Sequence, residues 1–377
     1  MKKILASFLL LLALFFVVSC DNVTTISTTS IVTTSSSVII TTTESLSTTD
    51  TTTVIETTET TTVPMTTTEA ITTVATTEPV TTLTTTVPYV DTDPPFILQM
   101  QHDTIKILQL TDLHLKYTSD DTATQTLNLI TKLIDSDDFD LVVITGDMTL
   151  SQVGPAYFLD LIEVMEACLT PWTFVFGNHD NDYNDYQEFI DVIPVTQYLY
   201  FRVGPDLEGG GYGNFVIQFQ KDFVPFYDFI FMDSHAERDV YTAAEGAYDY
   251  IKEAQVAWYE ERVSHSPVNN LVFFHIPLRQ YMYNDGYIGE FNEYVCPQGR
   301  DTGLYDAFVL YNKTKGLFVG HDHVNDFLII RDDIILAYGR ATGFGGYGEL
   351  EKGGRIIEIQ ANKEVVTSII LESDVTD

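Results

Sequence analysis

Short apolar runs recur from Phe96 onward, and they constrain the fold of this chain more than any other feature. The runs that suit buried strands are Ile105–Leu110, Leu141–Thr145, Thr173–Phe176, Phe229–Met232, Leu271–Phe274, Leu317–Val319, Ile334–Tyr338 and Ile356–Ile359. Helical patterns lie between some of them, over Thr122–Asp135, Pro155–Leu169 and Ala254–Ser264. Strands that alternate with helices and then give way to a strand-rich end predict a layered α/β domain over residues 96–377.

Residues 1–20 have the pattern of a secretion signal. Lys2 and Lys3 precede an apolar run from Ile4 to Val18, and its length of about 15 residues falls short of the ~20 that span a bilayer. The run ends in Val17-Val18-Ser19-Cys20, which resembles a bacterial lipobox, in which the Cys is lipidated. We therefore expect an extracytoplasmic protein anchored to the membrane through a lipid on Cys20, with a cleaved signal and a secreted protein as the alternative.

Residues 21–95 are dominated by Thr, with Ser, Val and scattered Glu, and Pro94-Pro95 closes the segment. No helical or strand period gives this segment a face that it could bury, so we expect a disordered, extended stalk. A fibrous β segment is the alternative, because Thr favours extended backbone.

The formal net charge of the chain is -35. Such a surface repels nucleic-acid polymers, so we expect none as partner, and an anionic ligand could approach only through a locally positive site. Apart from Cys20, the chain has only Cys168 and Cys296, whose separation excludes a CxxC metal site; a disulfide and two buried thiols both remain open.

Polar residues with metal-ligating side chains follow several of the apolar runs. Asp112 and His114 come after the first run, two residues apart, so their side chains share one side of an extended chain. Asp147 follows the second run and Gly146; its two carboxylate oxygens could bridge two cations. Either motif alone is a weak signal, since polar strand ends and Gly-Asp turns are common.

The later runs end in the same way. The third is followed by Asn178, His179 and Asp180, where the amide oxygen is a neutral ligand and the carboxylate could orient the imidazole. The last three ligand candidates are single imidazoles that follow apolar strands: His275, His321 and His323. A lone strand-end His is more often a core residue, but these five strand ends hold five of the eight histidines. Because such ends converge on one crevice of an open α/β sheet, the set predicts a metal site.

The order D-x-H, G-D, G-N-H-D, H, G-H-x-H resembles that of the calcineurin-like metallophosphoesterase superfamily, from about Ile105 to Gly348. The resemblance implies a four-layer αββα sandwich with two mixed sheets. It also implies one metal held by Asp112, His114 and His323, a second held by Asn178, His275 and His321, and Asp147 as the bridge. His179 would be the catalytic acid, steered by Asp180.

Further segments resemble the purple-acid-phosphatase-like branch of that superfamily, among them Gln255–Trp258 and Tyr338-Gly339-Arg340. Purple enzymes carry a Tyr ligand three residues after the bridging Asp, where this chain has Leu150, so the resemblance implies no ferric charge-transfer colour. No Arg closely follows Asp147 and none precedes Gly177, so the pattern of protein Ser/Thr phosphatases is absent.

The expected activity is hydrolysis of phosphate monoesters, with diesters as a second class, of small molecules by water that two metal ions activate. Nitrogen and oxygen ligands without a thiolate suit Mn, Fe, Zn or Co. A nucleotidase or phosphodiesterase acting on nucleotides is the first alternative, and a non-catalytic surface-binding lipoprotein is the second.

Two other signals stay open. Gly343–Gly348 matches GxGxxG, but no convincing helix follows, so we expect either a loop near the site, with Phe344 or Tyr347 contacting substrate, or a tight turn. Arg340 could bind phosphate or form a salt bridge.

Overall fold

A computed structural model describes residues 92–375 in full and, nearer the N-terminus, the backbone of four strands. These are β1 (Leu14–Cys20), β2 (Val23–Thr34), β3 (Ser37–Ser47) and β4 (Thr61–Pro64), which pair antiparallel in that order. Residues 1–87 and 88–377 form two separate units. These four strands lie mostly in the segment for which the composition predicted a disordered, extended stalk, with a fibrous β segment as the alternative, and Thr and Val favour the extended backbone that they adopt.

The predicted secretion signal and stalk are otherwise untested. Lys2, Lys3 and the first part of the apolar run lie outside the described residues, as do residues 65–91 of the stalk. Among the residues that the structure describes, no helix combines the length and the apolar character needed to cross a bilayer.

The second unit is built from strands in two sheets and helices on their outer faces. The strands are β5 (Phe96–Gln99), β6 (Ile105–Leu110), β7 (Leu141–Thr145), β8 (Trp172–Val175), β9 (Phe215–Lys221), β10 (Val224–Phe231), β11 (Asn270–Phe273), β12 (Thr314–Val319), β13 (Leu328–Arg331), β14 (Ile334–Tyr338), β15 (Gly353–Ile359) and β16 (Val365–Leu371). The helices are α1 (Thr122–Asp135), α2 (Gly154–Ala167), α3 (Tyr186–Val192), α4 (Glu253–His265) and α5 (Leu304–Tyr311). Short 3-10 turns lie at His179–Asn181, Arg279–Met282 and Glu372–Val375.

Both sheets are mixed. The five-stranded sheet has the order β16-β15-β6-β7-β8, in which β6, β7 and β8 run parallel and β15 pairs antiparallel to β6. The seven-stranded sheet has the order β13-β14-β12-β11-β10-β9-β5, in which β10, β11, β12 and β14 run parallel.

The inner faces of the two sheets pack on each other through a core that includes Ile107, Val143, Phe231 and Phe273. Side chains on the outer face of the five-stranded sheet pack with α1, α2 and α3, and those of the seven-stranded sheet pack with α4 and α5. The central strands are therefore buried on both faces, which explains their continuous apolar runs. The prediction of a four-layer αββα sandwich with two mixed sheets is confirmed.

The eight predicted strands and three predicted helices are present. Helix α1 and strands β6, β7 and β14 have their predicted bounds, and the other elements differ from theirs by one to five residues. The sequence pattern did not predict β5, β9, β13, β16, α3 and α5. Strand β5 has only four residues, and β16 lies at a sheet edge with no fully buried residue, so neither gives a strong apolar signal.

Candidate metal centre

Four side chains form one group of possible metal ligands at the carboxyl ends of β6, β7 and β12. Asp112, His114, Asp147 and His323 are buried, and one ligand atom from each lies within 4.8 Å of the others. Nε2 of His114 lies 2.9 Å from Nε2 of His323 and 3.5 Å from Oδ2 of Asp147, and Nε2 of His323 lies 3.4 Å from Oδ1 of Asp112. We call these residues the first ligand group.

A second ligand group shares Asp147 with the first. Asp147, His275 and His321 are buried and meet the same 4.8 Å limit, with Nε2 of His275 3.2 Å from Oδ2 of Asp147. Asn178 is also buried, and its backbone is next to His179, whose N–H donates to Oδ1 of Asp147 at 2.8 Å. The structure thus brings together six of the seven side chains that the sequence singled out as ligands, and it places the seventh, Asn178, next in the chain to a residue that contacts Asp147.

The chemistry of these atoms suits cations. Among the predicted ligands, five buried atoms have no hydrogen-bond partner. One is Nδ1 of His114, the ring nitrogen opposite the one that contacts His323, and the other four are Oδ2 of Asp147, Oδ1 of Asn178, Nε2 of His275 and Nε2 of His321. A buried polar atom without a partner costs about 1–3 kcal/mol. Metal ions would satisfy the last four of these atoms, and carboxylate, amide and imidazole donors without a thiolate fit Mn, Fe, Zn or Co. The chain therefore has residues that are able to bind metal ions.

The backbone at the ligands is unusual. Asp112, His114, Asp147 and His321 all have positive φ, at 55°, 45°, 53° and 88°. Such conformations cost on the order of 1–3 kcal/mol each and persist only where the surrounding structure imposes them. Here these conformations occur in the turns that follow the strands, where the ligand side chains gather.

Gly177 allows two of these turns to touch. A Cβ on Gly177 would lie 2.2 Å from both the amide nitrogen and Oδ1 of Asp147, so only glycine fits there. Across the sheets, Nδ1 of His275 lies 2.7 Å from the carbonyl oxygen of Thr145, and the N–H of His321 donates to the Asp112 carboxylate. These bonds tie the strand ends of both sheets into one site.

Burial and charge set opposite pKa shifts in the site. Burial lowers the pKa values of His114 and His321 to about 3. Burial also disfavours the charged form of His275, but Asp147 and Asp112 outweigh it and raise the pKa of His275 to about 9. Burial raises the pKa of Asp147, yet the positive charge of neighbouring imidazoles holds that pKa well below its usual range. The carboxylate of Asp147 therefore stays ionised, which is the form that a metal ligand requires.

His179 lies at the rim of the site, where 37% of its side chain is exposed. Its ring lies 5.2 Å from that of His114, and its Nδ1 lies 2.7 Å from Oδ2 of Asp182. Burial lowers the pKa of His179, but Asp147 and the hydrogen bond to Asp182 outweigh burial and raise it. A group on this rim is able to give a proton to a molecule held over the ligands.

The prediction that Asp180 steers His179 is wrong. Asp180 is buried and accepts hydrogen bonds from the N–H groups of Gly177 and Thr149, both at 2.9 Å, so it fixes the loops after β7 and β8. Burial and the charge of Asp147 raise the pKa of Asp180 to about 7. The short 3-10 turn over His179–Asn181 directs Asp182, and not Asp180, toward the imidazole.

Two tyrosines that the ligand pattern did not identify contact histidines of the two ligand groups. Tyr248 meets the ring of His321 edge-on at 4.3 Å, and Tyr347 stacks on the ring of His323 at 4.0 Å and 12°. The expected contact of Tyr347 with substrate is untested. Phe344 packs into the core under the five-stranded sheet.

Contacts in the structure decide the alternatives that the sequence left open for Arg340 and for the two cysteines. Arg340 forms a buried salt bridge with Asp326, with nitrogen and oxygen 2.6 Å apart. It is therefore committed to the fold and does not face a phosphate site. Cys168 and Cys296 are both free thiols.

Comparison with known proteins agrees with this site. The family model for calcineurin-like phosphoesterases matches residues 105–325, which include every ligand candidate. An Arabidopsis thaliana protein named "Probable inactive purple acid phosphatase 28" is 27% identical over 322 residues, covering 72% of this chain and 79% of that protein.

Two further proteins are similar to this chain over different shares of their own length. The protein named "Phosphatase DCR2" of Saccharomyces cerevisiae is 29% identical over 322 residues, covering 73% of this chain and 54% of that protein. The crystal structure of a dimetal phosphatase from Danio rerio aligns with a TM-score of 0.44 at 11% identity, covering 70% of this chain and 98% of that chain.

Proposed function

The chain belongs to the calcineurin-like phosphoesterase family, and from that membership we propose that it hydrolyses phosphate monoesters of small molecules at a site for two metal ions. One observation carries the proposal: two ligand groups, each with its own imidazoles, share the carboxylate of Asp147. Phosphodiesters are the second substrate class. Two bound ions would neutralise the phosphoryl oxygens and lower the pKa of water toward neutrality.

The remaining roles, which are binding the ions and donating a proton, belong to the side chains of the protein. The seven ligand side chains are buried, so they position charge and exclude bulk water. His179 uses Nδ1 to contact Asp182, which leaves Nε2 to protonate the departing alkoxide. Because the pKa of His179 is raised, more of it is protonated at neutral pH than for an ordinary imidazole. Water activated by the metal ions would be the nucleophile, so the proposed hydrolysis needs no nucleophilic side chain.

The acidic lining of a cleft that begins two residues after His179 supports a small substrate with no additional negative charge. A cleft of about 390 Å³ begins at Asn181 and is lined by Asp185, Asp233, Glu237 and Asp249, with no Lys or Arg among its lining residues. These carboxylates would repel the further phosphates of a nucleoside di- or triphosphate. They favour a monoester with an uncharged or cationic alcohol over the nucleotide alternative.

A non-catalytic role is the second candidate, and one observation favours it: similar plant proteins carry the name "Probable inactive purple acid phosphatase". Against it, the ligand side chains are present, buried and gathered around shared atoms. The yeast relative carries the name of a phosphatase, which supports a catalytic role for this chain, although the chain spans about half the length of that relative.

We also propose a location outside the cytoplasmic membrane, with a lipid on Cys20 as the anchor. The support is the basic start, the apolar run and the Val17–Cys20 resemblance. Labelling with a fatty-acid analogue in the wild type and in Cys20→Ala tests the anchor. Loss of label in the variant is expected, while secretion of an unlabelled wild-type protein would favour the cleaved-signal alternative.

A metal-supplemented activity panel tests the catalytic proposal. Purified protein is stripped with a chelator, reloaded with Mn, Fe, Zn or Co, and assayed on aryl and alkyl phosphate monoesters, on diesters and on nucleotides. We expect about two ions per chain and fastest turnover of monoesters. Two bound ions with no turnover of any ester would favour the non-catalytic role, and no bound ion would overturn the metal site itself.

A further inference from the structure

The glycine-rich segment 343–348 lies directly on the first ligand group. A Cβ on Gly343 would lie 2.0 Å from the carbonyl oxygen of Leu113, and one on Gly345 would lie 2.1 Å from that of His114. A Cβ on Gly346 would lie 2.6 Å from Nδ1 and Cε1 of the His323 ring. The glycines are therefore required by close approach to Asp112–His114 and His323, not by a nucleotide.

Tyr347, which follows these glycines, contacts His323 in three ways. Its ring stacks on the imidazole at 4.0 Å, and its hydroxyl accepts the N–H of His323 at 3.3 Å. Its backbone meets Nδ1 of His323 with both of its polar groups: the amide N–H donates to Nδ1 at 3.2 Å, and the carbonyl oxygen lies 3.3 Å from the same nitrogen. One residue thus controls the plane of the ring and the partner of its outer nitrogen.

Glu293 holds Tyr347 in place from another loop. The Tyr347 hydroxyl donates to the Glu293 carboxylate, with both oxygens at 2.9 Å, and Oε1 of Glu293 accepts the N–H of Val324 at 3.0 Å. Glu293 therefore ties the tyrosine to the residue that follows His323 and keeps the stacked geometry fixed.

The hydrogen bond at Nδ1 decides which nitrogen faces the ligand group. When a cation occupies Nε2, the ring proton is on Nδ1, where the Tyr347 carbonyl oxygen is able to accept it. The Tyr347 amide N–H is the partner of the other tautomer, in which Nδ1 has no proton. Partners of this kind fix the tautomer and orientation of a metal-ligating histidine, and their loss typically costs about 10–100-fold in metal affinity. The Tyr347 side chain is 52% exposed, so burial of the ring is a poor explanation for its position.

We propose that Tyr347, supported by Glu293, is a positioning residue that holds His323 for the ion of the first ligand group. The inference rests on the proposed two-ion site. It assigns the segment to one ion only, because its glycines and its tyrosine contact Asp112–His114 and His323, whereas His321 of the second group contacts Tyr248.

Calorimetric titration of chelator-stripped protein with Zn²⁺ tests this proposal. Tyr347→Ala removes the stack and the hydroxyl but keeps the backbone contacts to Nδ1. We therefore expect one of the two binding steps to weaken about 10-fold, the lower end of the range for such partners, and the other to stay unchanged. Tyr347→Phe, which keeps the stack but loses the bond to Glu293, should weaken the same step less. Tyr294→Ala is the matched control, since Tyr294 is 90% exposed and neighbours Glu293, yet is not among the contacts of His323.

The outcomes separate the two proposals. A wild-type protein that binds no Zn²⁺ would overturn the proposed function. A wild type with two steps, together with a Tyr347→Ala variant whose two steps are unchanged or equally weakened, would overturn this inference alone. Thermal unfolding of the stripped variants shows whether any loss of affinity comes from a damaged fold.

Discussion

The two ligand groups use the same kinds of donor atom but hold them by different parts of the fold. In the second group, His275 follows β11 directly and its Nδ1 is fixed by the carbonyl oxygen of Thr145 at the end of β7. In the first group, His323 is fixed by Tyr347 and Glu293, which come from two loops. The His275 imidazole is thus held by the sheets, whereas the His323 imidazole is held by two loop residues, Tyr347 and Glu293, which we call the loop support.

This difference has a physical consequence. Substitutions at the contact between His275 and the end of β7 would disturb the sandwich core, whereas substitutions in the loop support leave the sheets intact. Loops are more mobile and tolerate substitution better than the elements they connect. We therefore expect the affinity of the first ligand group to be adjustable without loss of the fold.

Asp147→Asn should have the largest effect, because Asp147 belongs to both groups and its loss affects them together. We expect turnover to fall to background and both ions to be lost, since an amide replaces the only shared carboxylate. Metal content by mass spectrometry and turnover measure this. Undiminished activity with two ions would refute the shared site.

His179→Gln should spare both groups and still slow the reaction. His179 is not among the grouped ligands, so both ions should stay bound. Loss of a general acid typically costs about 10²–10⁴-fold in rate. The loss should be larger for alkyl than for aryl phosphates, because a phenolate leaves with little need of a proton. Equal losses for both ester classes would assign His179 to phosphate binding instead.

Gly346→Ala should separate the groups. The added Cβ would meet the His323 ring at 2.6 Å, which must shift that ring out of line with Asp112 and His114. We expect the first group to lose about 10–100-fold in metal affinity, with the second group of the same protein as the internal control. Unchanged affinity in both groups would mean that the loop moves and the ring does not depend on it.

Asp182→Asn should have the smallest effect, confined to high pH. The Asp182 carboxylate helps to raise the pKa of His179, so its removal lowers that pKa. A general acid works in its protonated form, and hence the alkaline limb of the kcat profile should move to lower pH while the rate on the acidic side is kept. The matching variant Asp180→Asn lacks contact with the imidazole and should leave that limb in place.

The sequence alone determined the central strands, the layered class and the residues that gather at the site. Strands such as Leu141–Thr145 are buried on both faces, and the apolar runs that this requires are visible in a one-dimensional pattern. Ligand residues must follow strand ends to meet, so Asp112, Asp147 and His275 are also recognisable by position.

Tertiary structure decided how those residues are supported. The sequence pattern assigned Asp180 as the partner of His179, and only the 3-10 turn of the folded chain determines that the carboxylate of Asp182 reaches the ring. Glu293 and Tyr347 lie far apart along the chain, and no local period links either of them to His323. A sequence pattern records which side chains are buried, whereas the loops that orient them depend on contacts between distant segments that only the folded chain brings together.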